Sequence, residues 1–151
     1  MPNIVHRIGI SNTTLRKVYD SVATIDGISK WWTTEVNGIS REDHIIEFKF
    51  GAGRTDFTVI KLEPNKKVEW KCISGPSDWI DTRIEFEISE QDTEVVLLFK
   101  HSGWRKEVDF MHHCSTQWAY FLMGLKDELS GTRKAKPFGS DEFEPISNWS
   151  K

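Results

Sequence analysis

The chain has 151 residues, 20 Lys and Arg against 23 Asp and Glu, and hence a net charge of −3; nine Phe and seven Trp stand among its 38% apolar residues. A chain of this length buries roughly 69% of its unfolded surface, enough for one core and not for two independent domains. Such composition argues against a disordered chain, and the negative balance argues against a protein whose work is gripping phosphate backbones.

Residues 3–10 alternate loosely and read as a first strand. Ser11 and Asn12 then offer capping oxygens before Leu15, Val18, Tyr19 and Val22, whose spacing marks a short amphipathic helix. Asp26 is placed to cap a second short turn carrying Ile28, Trp31 and Trp32. From His44 to His101 the period becomes two. His44–Phe50 puts Ile46, Phe48 and Phe50 on one face, and Gly51 and Gly53 turn the chain into a strand over Arg54–Glu63. Pro64, Asn65 and Lys66 turn it again into Val68–Cys72, which Gly75, Pro76 and Ser77 end. Ile80, Thr82, Ile84, Phe86 and Ile88 share the inward face of the next strand, and Val95, Leu97, Phe99 and His101 that of Thr93–His101. Short loops between successive strands demand antiparallel neighbours, so the segment is a five-strand meander, giving six strands with the first.

The period then returns to 3.6. Val108, Met111, Ser115, Trp118, Leu122, Leu125 and Leu129 recur at helical spacing, with Phe110, Cys114 and Phe121 widening the stripe and Asp109, His113, Thr116, Tyr120 and Asp127 opposite. This is one helix of about two dozen residues, roughly 36 Å long, with Gly131 fitted to its C-terminal cap. A polar tail over 132–151 belongs to the same domain as 1–131 and is expected to pack through Phe138, Phe143 or Trp149. The fold class is α+β: a curved antiparallel sheet must cover its apolar face, and the long helix is the element large enough to do so.

Several strings match a known family. They are Val18-Tyr19-Asp20, Ser29-Lys30-Trp31-Trp32-Thr33, Leu62-Glu63-Pro64 and Val68-Glu69-Trp70, followed by Thr93-Glu94-Val95, His101-Ser102-Gly103-Trp104, Trp118, Leu122, Leu125-Lys126 and Gly131. In order and spacing the chain resembles the START-like (SRPBCC) superfamily. Within it, the resemblance is to the branch related to the C-terminal domain of the activator of heat-shock-protein-ninety ATPase. That resemblance implies the helix-grip fold, in which a sheet wraps a long C-terminal helix and can enclose a space. It does not imply one chemistry, because the fold serves lipid carriers, hormone receptors, cyclases and co-chaperone domains.

The expected binding residues are Trp32, Phe48, Trp70, Thr82, Phe86, Phe99, His101, Met111, Ser115, Trp118 and Phe121, which bring inward strand positions to face the helix. They are read as an aromatic-lined cavity for a small apolar or lipid-like molecule; the alternative is a core filled by the same rings. His101 is the one weak catalytic candidate, able to orient a ligand oxygen or shuttle a proton, against a histidine that bonds a loop carbonyl. His6 is a further inward-facing candidate.

Asp109 and His113, one helical turn apart, could supply two metal ligands, but they lie on the polar face without a third, so no metal site is expected. Cys72 and Cys114 lie in apolar rows and read as inert reduced thiols. No cofactor is expected, because no phosphate loop or dinucleotide glycine pattern is present. Arg133, Lys134 and Lys136 are too few for nucleic acid. The start MPNIVHRIGI lacks a signal-peptide apolar stretch and no apolar run spans a membrane, so the expected setting is cytoplasmic.

Three readings follow: a ligand-binding module with His101 fixing orientation, a protein-interaction domain of the chaperone-activator type, and a cyclase- or dehydratase-like enzyme using His101 as acid and base. Activators of that branch carry an extra N-terminal domain that these residues do not include, which places the interaction reading second. An enzyme is the least expected, since no carboxylate pair accompanies the histidine.

Overall fold

A computed structural model describes residues 2–131 and 135–144. In chain order the elements are β1 (Ile4–Ser11), α1 (Leu15–Ala23), α2 (Ile25–Ser29), β2 (Val36–Gly38), β3 (Ile45–Phe50), β4 (Gly53–Glu63), β5 (Lys67–Ser74), a 3-10 turn (Ser77–Trp79), β6 (Arg83–Gln91), β7 (Glu94–Ser102) and α3 (Asp109–Ser130). The seven strands form one sheet in the order β1-β7-β6-β5-β4-β3-β2, every pair antiparallel. The chain thus runs as a meander from β2 to β7, and β1 closes on β7.

The sheet has one strand more than the six expected. The addition, β2, is three residues at the edge, pairing Val36 with Phe48 and Gly38 with Ile46; so short a strand carries no readable period. β6 begins at Arg83 and not at Ile80, because Asp81 takes a left-handed φ of 70° that ends the extended path. Two register shifts in the β4–β5 pairing, between Asp56 and Phe57 and between Val59 and Lys61, bend this part of the sheet.

The helix caps also differ from expectation. Asn12 turns at φ 57°, so Thr14 is the last extended residue before α1 and its hydroxyl accepts from Lys17 N–H at 3.2 Å. Thr24 closes α1 and caps α2, accepting from Gly27 N–H at 3.0 Å, while Asp26 sits in the first turn of α2. Negative charge there suits the helix dipole without making the cap. Gly131 caps α3 in the left-handed conformation, as expected, and its N–H donates to the Asp127 carbonyl.

The core lies between the inner sheet face and α3. Ile46, Phe48, Phe57, Val59, Trp70, Ile84, Phe86, Leu97, Phe99 and His101 project from the sheet to meet Trp118, Leu122 and Leu125. Outward residues of β3–β6 form a charge ladder: Arg54–Glu47, Arg83–Glu69 and Lys67–Glu85 cross between strands, while Arg54–Asp56 and Lys67–Glu69 pair along one strand. Residues 135–144 return across the open end of the grip, where Phe138 forms a parallel bridge with Thr33. Phe138 and Phe143 are partly buried against the core, and Trp149 lies outside the described residues. Among those residues no helix is long and apolar enough to cross a membrane.

Candidate functional site

Trp32 is the hub of the interior. It follows α2, and its ring meets those of Trp31, Phe48, Phe50, Phe57, Trp70, Trp79 and Trp118 at centroid distances of 4.5–6.4 Å. Phe99 continues the cluster, 4.6 Å from Trp118 and 5.5 Å from Phe86. These tilted and stacked contacts fill the deep end of the grip, with ring centroids at the separations at which aromatic pairs attract. Phe48, Trp70, Phe86, Phe99 and Trp118 are therefore brought together, packed on one another.

His101 lies fully buried at one end of this cluster. The Trp118 indole N–H can only donate, so at 3.2 Å it makes His101 Nδ1 an acceptor. Nε2 then carries the hydrogen and donates to Thr82 Oγ1 at 2.8 Å, and the Thr82 hydroxyl donates to the Trp79 carbonyl at 2.6 Å. Every member of the relay is satisfied by protein. Desolvation pushes the imidazole down from 6.5 to about 3, so it is neutral at physiological pH. The structure thus places His101 and Thr82 in a buried relay and not on a cavity wall. Ser115 lies elsewhere again: its carbonyl and hydroxyl stand 3.1 and 3.3 Å from His6 Nε2, tying α3 to β1. Met111 is buried in the first turn of α3.

The open space lies beside the cluster, at the end of the grip where the β3–β4 turn, the loop after β5, α3 and residues 135–144 meet. It measures about 560 Å³. Trp32, Phe50, Trp79, Phe110, Phe121, Phe138 and Phe143 form its apolar wall, and Arg54, Thr55, His113 and Gln117 add polar groups. Of the eleven expected binding residues, Trp32 and Phe121 stand on this wall. The helical contribution is one face, Phe110, Cys114, Gln117 and Phe121 at i, i+4, i+7 and i+11; that spacing was available in the sequence, as was the alignment of Phe50 with Phe48.

His113 was assigned to the polar face of the helix. It instead stacks on Phe110, 6.1 Å between centroids and 18° between planes, and partial burial lowers its pKa, favouring the neutral ring. Arg54 is ion-paired with Glu47 and Asp56. Trp79 carries a buried indole N–H with no hydrogen-bond partner among the described residues, as do Trp70 and Trp104. A larger hollow of about 680 Å³ lies on the outer sheet face, where Leu15, Ile88, Val96 and Leu98 form an apolar floor rimmed by charges of both signs, Arg7, Glu63, Lys66, Lys67 and Glu87; no aromatic side chain lines it.

Among the described residues no group of three or more His, Cys, Asp or Glu gathers to hold a metal, and His112 is engaged by Glu107 at 2.8 Å. Cys72 and Cys114 are both buried, and burial drives the Cys72 thiol up to about 11, far from a reactive thiolate.

Among solved structures, the chain is 41% identical to a protein described as the Aha1 dimer from Colwellia psychrerythraea, over 88% of this chain and 99% of that one, with a TM-score of 0.81. Two further structures share the fold at lower identity. The protein MLL2253 from Mesorhizobium loti has 19% identity and a TM-score of 0.76, covering 87% of this chain and 98% of its own. SSP2350 from Staphylococcus saprophyticus has 14% identity and a TM-score of 0.74, covering 91% and 99%. No curated protein matches the chain. A helix-grip sheet packed with rings against one long helix, the likeness to the Colwellia protein and a family match over residues 12–130 agree: the chain belongs to the family described as Activator of Hsp90 ATPase homolog 1-like protein.

Proposed function

We propose that the protein binds a small apolar or amphipathic molecule in the cavity at the open end of the grip. The observation that carries this reading is the cavity itself, about 560 Å³ with seven aromatic side chains on its wall. That size and lining fit a small-molecule site. Binding would draw on buried apolar area at about 25 cal/mol per Å² before the costs of ordering. Thr55 and Gln117, and not His101, are positioned to orient the ligand's polar end, because both nitrogens of His101 are used within the protein. Native mass spectra of gently purified protein, beside a denatured sample, test the reading. A mass of a few hundred daltons that leaves on denaturation supports it. A bare protein that takes up no apolar compound at concentrations well above micromolar contradicts it.

A second reading, a protein-interaction domain of the chaperone-activator type, draws on the family and on the edge of the sheet. Ile39 and Ile45 are both exposed there and joined by the Ile39 N–H to Ile45 carbonyl bond of 3.2 Å. Stimulation of a heat-shock-protein-ninety ATPase by wild-type protein, lost in Ile39→Ser/Ile45→Ser, would favour it. Equal ATPase rates with and without the protein would remove it.

A further inference from the structure

The cavity wall is not made by the family region alone. The family match ends at residue 130, yet Phe138 and Phe143 stand on the wall beside Trp32, Phe50 and Phe121. Resting on the cavity reading above, we propose that residues 135–144 are a ligand-selecting strap: Phe138 and Phe143 close the cavity against an uncharged, flat, ring-bearing molecule.

The strap is tied on both sides of the opening. On the α2 side, Phe138 N–H donates to the Trp32 carbonyl at 2.8 Å and the Phe138 carbonyl accepts from Thr34 N–H at 2.8 Å. On the helix side, Ala135 N–H donates to Asp127 Oδ2 at 3.1 Å and Lys136 N–H to the Tyr120 hydroxyl at 2.9 Å. Gly139 lets the chain pass close: it sits at φ 90°, and a Cβ there would lie 2.2 Å from Thr34 Oγ1. The two Phe rings are therefore held in place. Phe138 is also anchored to the backbone of Trp32, the residue at the centre of the aromatic cluster, while the Phe143 N–H donates to the Ser140 carbonyl at 3.1 Å within the strap.

Their geometry matches a ring more closely than a chain. Phe143 lies parallel to Phe121, 9° between planes at 5.9 Å, while Phe138 meets Phe50 edge-on at 69° and 5.4 Å. The two strap rings are 5.2 Å apart at 57°. The wall thus presents both faces and edges, the arrangement through which aromatic groups interact best.

Charge selects in the same direction. The guanidinium of Arg54 is already held by two carboxylates, Glu47 and Asp56, so it offers little to a ligand carboxylate. His113 is inclined to the neutral form by its burial. Among the remaining polar groups on the wall, the Thr55 hydroxyl and the Gln117 amide suit an uncharged hydrogen-bonding substituent.

The test uses the full chain and two fluorescent probes, N-phenyl-1-naphthylamine, which is neutral and ring-bearing, and cis-parinaric acid, a linear carboxylate. Wild type should bind the naphthylamine more tightly. Phe138→Leu/Phe143→Leu, which keeps apolar bulk without rings, should cut that preference about five- to tenfold. Phe138→Ala/Phe143→Ala should weaken naphthylamine binding by more than about tenfold. Thermal melts check folding, and if the alanine pair fails to fold the leucine pair decides. A preference unchanged in the leucine pair overturns the strap and leaves the cavity standing. Tighter binding of parinaric acid by wild type overturns the ligand class. Binding of neither probe by wild type removes the cavity reading and this inference with it.

Discussion

The indole N–H of Trp118 donates to Nδ1 of His101 at 3.2 Å, and this bond joins α3 to β7 inside the core. It also fixes what the histidine can be. A proton added to Nδ1 would face the indole donor, so charging the ring means losing that bond as well as desolvating a cation.

The consequence is a pH dependence with a defined sign. His101 has a folded pKa of about 3, lowered by burial from 6.5, so below pH 6.5 the unfolded state binds more protons than the folded one. Its effect leaves stability constant above about pH 6.5 and lowers it as pH falls towards 3, by up to about 1.4 kcal/mol per pH unit. Urea unfolding of wild type and His101→Gln at pH 4.5, 5.5 and 7.5 reads this. The advantage of wild type should shrink as pH falls; parallel curves would contradict the buried neutral assignment.

Trp118→Phe keeps a ring in the cluster and removes the donor. The loss should be about 2 kcal/mol, combining an unsatisfied Nδ1 with lost ring volume. Nitrogen-15 NMR of the His101 ring should show the Nδ1–H tautomer gaining population. Unchanged stability with Nε2–H retained alone would mean that the indole does not set the tautomer.

Gly27 lets α2 approach α1. A Cβ at this position would sit 2.2 Å from the Asp20 carbonyl oxygen and 2.8 Å from Ser21 Cα, both backbone atoms that cannot swing aside. Gly27→Ala should cost about 1–3 kcal/mol. Gly53→Ala, whose Cβ would meet only the Phe50 carbonyl oxygen at 3.5 Å, should stay within about 0.5 kcal/mol of wild type. Similar denaturation midpoints for the two variants would contradict this packing.

The fold was legible wherever burial repeats. Ile84, Phe86 and Ile88 alternate because one sheet face is dry, and Trp118, Leu122 and Leu125 recur because one helix face is. β2 was not legible, since three residues cannot establish a period, and the start of β6 was misplaced because Ile80 continues the alternation across the left-handed Asp81. Side-chain direction was readable, but the division of rings between filled core and open wall was not. Phe48 and Phe50 share a row, yet Phe48 is packed among rings and Phe50 lines the cavity, because Phe50 lies at the strand end under Phe138. That distinction depends on where residues 135–144 cross the sheet, a contact between distant parts of the chain that no local period encodes. Tyr120 and Asp127 were read as solvent-facing for the same reason: they receive the strap.

The central claim is that the space bounded by Trp32, Trp79, Phe121 and the strap is a binding site. A two-dimensional NMR titration of the full chain with N-phenyl-1-naphthylamine tests it most directly. The account predicts saturable shifts concentrated in the Trp32 and Trp79 indole N–H signals, the Gln117 side-chain amide and the backbone of Phe138, with the outer-face residues Glu85 and Lys100 unmoved. Shifts confined to the outer sheet face, or none at saturating probe, would contradict it.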